Sequence, residues 1–180
     1  IHANAKHFAA NEQEAGRRQM GTVVPPRALH ELYLLPFEMA VRDADPASIM
    51  CAFPEINGVS ACSNAELLTT TLRERWAFKG YVMTDRRAVH DLAPSIKAGV
   101  DWELSHITPL HYSLEPQPGQ RGNPGSEGIR AALATGSITV SDIDQMLRRR
   151  YIQMFKYGHF ETHFDALYEA DDEAEVIKRV

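Results

Sequence analysis

Apolar positions along the chain fall into two alternating rhythms. Four short runs, "ANAKHF" (3–8), "SIMCAF" (48–53), "YVMTD" (81–85) and "DWELS" (101–105), read as strands, and helical spacing follows each. The first helix opens at Pro25 and Pro26, where a missing N–H costs nothing, and its inward face is Leu29, Tyr33, Phe37 and Val41. Pro36 is expected to kink it. In the second, Ser63 stands three residues before Glu66, the spacing of a capping box, with Leu68, Leu72 and Trp76 along one face. A third helix is expected over 90–98, stopping at Gly99, and a fourth over 126–135, stopping at Gly136. The fifth is expected over 141–157, stopping at Gly158, with Ile143, Leu147, Tyr151 and Met154 facing inward. The Pro- and Gly-rich stretch 113–126 reads as a loop.

Strands alternating with helices imply an α/β fold with a parallel sheet, because parallel neighbours need crossover connections. The uneven strand starts exclude a solenoid repeat. Four βα units are too few to close an eight-stranded barrel, so pattern alone leaves an open doubly wound sheet as the plain reading.

Composition narrows the function. With 180 residues, 44% of them hydrophobic, the chain can bury a sizeable core. A net charge of −5 argues against a nucleic-acid surface, and no apolar run approaches the roughly 18 residues of a membrane helix. Two cysteines, Cys51 and Cys62, are too few for a disulfide scaffold and lack zinc-site spacing; pairing and free thiols both remain open. His159 and His163 have helical spacing, yet Gly158 ends the helix before them, so no metal is expected.

In parallel α/β folds functional groups collect at the carboxyl ends of strands. Lys6 and His7 close the first run, Asp85 closes the third and Glu103 lies in the fourth. Taken alone, a strand-end Asp is more often a turn or cap residue than a nucleophile.

The stretches "AKHFAANEQEAGR" (5–17), "IMCAFPEINGVSACSNAELLTTTLRERWAFKGYVMTD" (49–85), "AGVDWEL" (98–104) and "LRRRYIQMFKYGHFE" (147–161) together resemble glycoside hydrolase family 3, in its β-glucosidase-like branch. The resemblance implies half of a TIM-type (β/α)8 barrel over 1–160, its fifth to eighth strands, followed by a linker over 161–180. It assigns Asp85 as the nucleophile of a retaining mechanism on β-linked glucosides or small oligosaccharides, with no cofactor. Lys6 and His7 would grip sugar hydroxyls and favour the ionised form of Asp85. Arg17 would be a sugar contact, a positive neighbour of Asp85, or a partner of Glu12 or Glu14. Glu103 joins the expected substrate-binding set.

Two family positions differ. Phe53-Pro54 replaces Tyr-Asn, which removes a hydroxyl beside the nucleophile, and Arg86 replaces Trp. Arg86 can pair with Asp85, accept an acidic group on the substrate, or lie in solvent with Arg87. Phe53 and Arg86 are therefore expected substrate-binding positions of altered character. The family's acid/base glutamate comes from a second domain and has no counterpart here. A half barrel also exposes sheet edges, so association with a second copy or a complementary half is expected. The other expectation is a non-catalytic, carbohydrate-binding half barrel. A secreted or periplasmic location is the expectation from the resemblance.

Overall fold

Six strands lie along the chain: β1 (Asn4–Phe8), β2 (Gly21–Thr22), β3 (Ser48–Cys51), β4 (Glu55–Ile56), β5 (Val59–Ser60) and β6 (Tyr81–Thr84). The computed structural model describes residues 2–17, 21–86, 88–104 and 125–161. The expected strands β1, β3 and β6 form one parallel sheet in the order β1-β3-β6. β3 and β6 run in step, from Ser48 opposite Tyr81 to Cys51 opposite Thr84. Ile49 and Val82, both 0% exposed, face the helices, and fully burying such a side chain contributes about 1.5–3 kcal/mol. Met50 and Met83 face the other way, into a second cluster with Tyr81, Trp102 and Leu104. The expected fourth strand is reduced to a single parallel bridge between Trp102 and Met83.

The first helical run covers residues 26–44, with Pro26 in its first turn and Val41 buried. Pro36 does not kink a continuous helix. The run is interrupted at Leu34, and Pro36 lies in the first turn of the renewed helix Leu35–Met39, where its missing N–H is harmless. The Glu66–Arg75 helix buries Leu68 and Leu72 against the sheet, as its spacing requires, and Trp76 follows. Its cap differs from expectation: the Leu67 N–H donates to Asn64 Oδ1 at 3.1 Å, while the Ser63 hydroxyl shares a 2.8 Å hydrogen bond with Ser95. The next helix, Leu92–Ala98, stops at Gly99 with φ +114°, and Gly125–Ala134 gives way to Gly136 at φ +70°.

The last helix, Val140–Lys156, begins one residue earlier than expected because Thr139 and Asp142 form a capping box. It runs across the amino ends of the strands. Tyr157 and His159 pack on His2 ahead of β1, Lys156 meets Asp45 ahead of β3 at 2.7 Å, and Gln153 Nε2 donates to the Lys79 carbonyl ahead of β6. Arg149 donates to Asp101, just before Trp102, at 2.9 Å. This docking turns the helix away from the expected face: Leu147 and Tyr151 are exposed and Gln153 is buried. Polar anchors, rather than an apolar stripe, set its rotation.

Asp101 is the hub of that floor. Its Oδ2 accepts from Arg73 at 2.5 Å and from the Val82 N–H at 2.8 Å, and its Oδ1 accepts from Arg149. Burial pushes the Asp101 carboxyl up, against the pull of Arg73, the Val82 N–H and Arg149.

At the opposite end β2, β4 and β5 form a small second sheet that the sequence pattern does not reveal, each strand being two residues long. Asn57 organises it, accepting from the Val24 N–H at 2.8 Å and donating to the Val24 carbonyl at 2.9 Å. Cys51 and Cys62 form a disulfide that staples this loop to the end of β3. The expected loop at 113–124 and linker at 162–180 lie outside the described residues.

Candidate active site

A bulge in β1 brings Lys6 and His7 out of the core together. Ala5 pairs with Ile49 and Phe8 with Cys51, so three steps along β1 match two along β3. Ala5 and Phe8 consequently both pack on the helix side, Phe8 at 0% exposure. In a regular strand Lys6 and His7 would point to opposite faces and one would enter the core. Here Lys6 is exposed and His7 half-buried. The Lys6–His7 and Phe8–Ala9 peptides are cis.

Hydrogen bonding between the main strands continues one residue past their ends. The Ala52 N–H donates to the Phe8 carbonyl at 2.8 Å, and the Asp85 N–H donates to the Cys51 carbonyl at 3.0 Å. The Asp85 carbonyl then accepts from Ala88 at 3.0 Å, making a turn, and its Oδ1 accepts from the Arg86 N–H at 2.7 Å. So Asp85 is a turn residue. Its other oxygen, however, has a different environment: Oδ2 is buried, has no hydrogen-bond partner, and lies 3.6 Å from His7 Nε2. A buried acceptor without a donor costs about 1–3 kcal/mol, and such groups in folded proteins call for a functional reason. Alternation along β6 puts Asp85 on the face of Tyr81 and Met83, away from the helices.

The remaining expected positions divide. Arg17 pairs with Glu14 at 2.9 Å and stacks over the Phe53 ring at 4.5 Å, so the Glu14 alternative describes its charge partner. Phe53 is only 2% exposed and belongs to the core, beneath Arg17 rather than open to a ligand. Arg86 is exposed immediately beyond Asp85. Glu103 lies between Trp102 and Leu104, both packed on the Met83 face, so alternation directs it to the other face. Burial pushes its carboxyl up to about 7. The structure thus brings His7 to Asp85 and keeps Phe53 and Glu103 apart from them.

Thr84, which the sequence reading passes over, holds the neighbouring segment in place. Its Oγ accepts from the Leu104 N–H at 3.0 Å, and its own N–H donates to the Trp102 carbonyl at 3.0 Å. A hydroxyl just before a strand-end Asp was the available signal. Among the described residues no group of three His, Cys, Asp or Glu side chains is arranged to hold a metal ion, and no helix is long and apolar enough to cross a membrane.

Comparison with known proteins adds to this geometry. Residues 1–151 match the model of the glycosyl hydrolase family 3 N terminal domain. The exo-alpha-(1->6)-L-arabinopyranosidase of Bifidobacterium breve is 38% identical over 146 residues, covering 81% of this chain and 17% of its own. A probable beta-glucosidase L of Aspergillus terreus is 38% identical over 153 residues, covering 83% of this chain and 19% of its own. The crystal structure of a beta-glucosidase from Streptomyces venezuelae in complex with D-glucose superposes with a TM-score of 0.74 at 33% identity, over 88% of this chain and 20% of that one. The chain therefore spans about a fifth of the length of these relatives. Its parallel sheet and covering helices are a partial α/β fold of the kind found in those enzymes. The chain belongs to glycosyl hydrolase family 3.

Proposed function

We propose that this chain carries the nucleophile of a retaining, β-glucosidase-type glycoside hydrolase. The observation that supports it most is the asymmetric Asp85 carboxylate, with Oδ1 anchored on the Arg86 N–H and Oδ2 buried, unpartnered and 3.6 Å from His7. In the proposed first step Oδ2 attacks the anomeric carbon; a C–O bond to Asp85 forms as the bond to the aglycone oxygen breaks. That oxygen leaves with a proton from a general acid about 5 to 5.5 Å away. Water then displaces Asp85 from the same carbon. His7 and Lys6 are proposed to hold sugar hydroxyls, since hydrogen bonds from charged donors are the stronger ones. The general acid is proposed to come from outside the described residues, because Glu103 is directed to the other face of the sheet.

The test uses an aryl β-glucoside whose leaving group departs without protonation. Release of aryloxide equivalent to the chain concentration, absent in Asp85→Asn, supports the reading. Equal release from both proteins refutes it.

A second reading, a non-catalytic sugar-binding half barrel that associates with a copy of itself or a complementary half, is favoured by one feature. Among the described residues β1 is an edge strand, open on the side away from β3. Binding of glucoside without any aryloxide release at all would support it.

A further inference from the structure

Although the chain has a net charge of −5, the carboxyl end of its sheet gathers cations. Lys6 and His7 leave the end of β1, Arg17 lies in the loop that follows, and Arg86 comes directly after Asp85. The acids at this end do not balance them. Glu14 is taken by Arg17, and the buried Glu103 carboxyl, pushed up to about 7, is substantially uncharged near neutral pH.

Within this group Arg86 has a distinct position. It is exposed, and its main-chain N–H is fixed on Asp85 Oδ1 at 2.7 Å. The turn closed by Ala88 on the Asp85 carbonyl keeps it there. Its side chain therefore starts one residue from the unpartnered oxygen, close enough for a long arginine to reach substituents of a sugar seated on Asp85. A guanidinium matches a carboxylate with two parallel hydrogen bonds, a fit that a neutral hydroxyl cannot reproduce.

We propose that Arg86 determines specificity, and that the site prefers glycosides bearing a carboxylate, on the sugar ring or on the aglycone, over neutral ones. This rests on the glycosidase reading above.

The test is titration calorimetry of the intact chain with methyl β-D-glucoside, methyl β-D-glucuronide and para-carboxyphenyl β-D-glucoside. One of the acidic ligands is expected to bind roughly 3- to 30-fold tighter than the neutral one at low salt. Preference for the uronide places the carboxylate on the ring; preference for the aryl acid places it on the aglycone. The advantage should shrink in roughly 1 M salt, where the Debye length is about 3 Å, disappear in Arg86→Gln and persist in part in Arg86→Lys. Equal binding of all three ligands, or an acid preference that survives Arg86→Gln, overturns the proposal and leaves the glycosidase reading standing. Failure of every glycoside to bind removes both.

Discussion

Two buried aspartates, Asp101 and Asp85, lie at opposite ends of the same sheet and have opposite environments. Asp101 has both oxygens occupied, by two arginines and a backbone N–H. Asp85 has one oxygen held and the other left without a donor. Both are charged groups taken largely out of water, a costly arrangement unless partners compensate. At the floor the compensation is complete for the carboxylate and fastens the last helix beneath the strands. At the mouth it is withheld, leaving an acceptor available to a ligand. Stability and reactivity are thus assigned to different ends of the fold, a division familiar in parallel α/β folds.

Asp101→Asn should break this comparison most severely. Removing the charge leaves the Arg73 and Arg149 guanidinium groups unmatched, and loss of one partner from a buried pair costs about 3–5 kcal/mol. Asp85→Asn removes a carboxylate that nothing fully satisfies, so its urea midpoint should stay near that of the parent. Equal destabilisation by both substitutions would erase the distinction. Next in size is the Cys51–Cys62 staple at the mouth. Closing a loop of eleven residues corresponds to roughly 3 kcal/mol of chain entropy, so Cys51→Ser with Cys62→Ser should lower stability by about that amount in chemical denaturation.

A third prediction separates the two ends by pH. Burial, and then neighbouring His159, lowers the His2 imidazole below its ordinary value. The neutral form is favoured on folding, so the stability it supports is present above about 6.5 and lost as pH falls through the folded value. Glu103 has the opposite sign. With its carboxyl raised to about 7, its contribution is present below about 4.5 and lost as pH rises through about 7. Stability measured against pH should lose its acid-side slope in His2→Phe and its neutral-side slope in Glu103→Gln; unchanged slopes would contradict these assignments. The smallest effect is expected at the start of the last helix. Thr139→Ala removes a capping box and should cost about 1 kcal/mol, whereas Ser63→Ala, which removes no cap, should cost less.

Periodicity located β1, β3, β6 and the helical segments between them because those elements bury one face against a single sheet. It failed for the last helix, whose rotation is set by Arg149, Gln153 and His159 reaching distant partners. Such contacts carry no period. Strand-end position and resemblance together singled out Asp85 and His7. Neither revealed that the β1 bulge exposes Lys6 and His7 on the same side, because the bulge is defined by pairing with β3. Glu103 was misjudged for a related reason: once Trp102 and Leu104 pack beside Met83, the residue between them faces away. The Asn57-Gly58 turn was a legible hairpin signal, whereas the partner strand β2 lies more than thirty residues earlier. The Cys51–Cys62 bond depended on that same distant folding of the loop.

The central claim is that Asp85 Oδ2 is the reacting oxygen. Its most direct test is to treat the chain with an activated 2-deoxy-2-fluoro glucoside, digest it and map any sugar adduct by tandem mass spectrometry. The account predicts one adduct per chain, attached to Asp85 and absent from Asp85→Asn. An adduct on any other carboxylate, or one that persists in the variant, would contradict it.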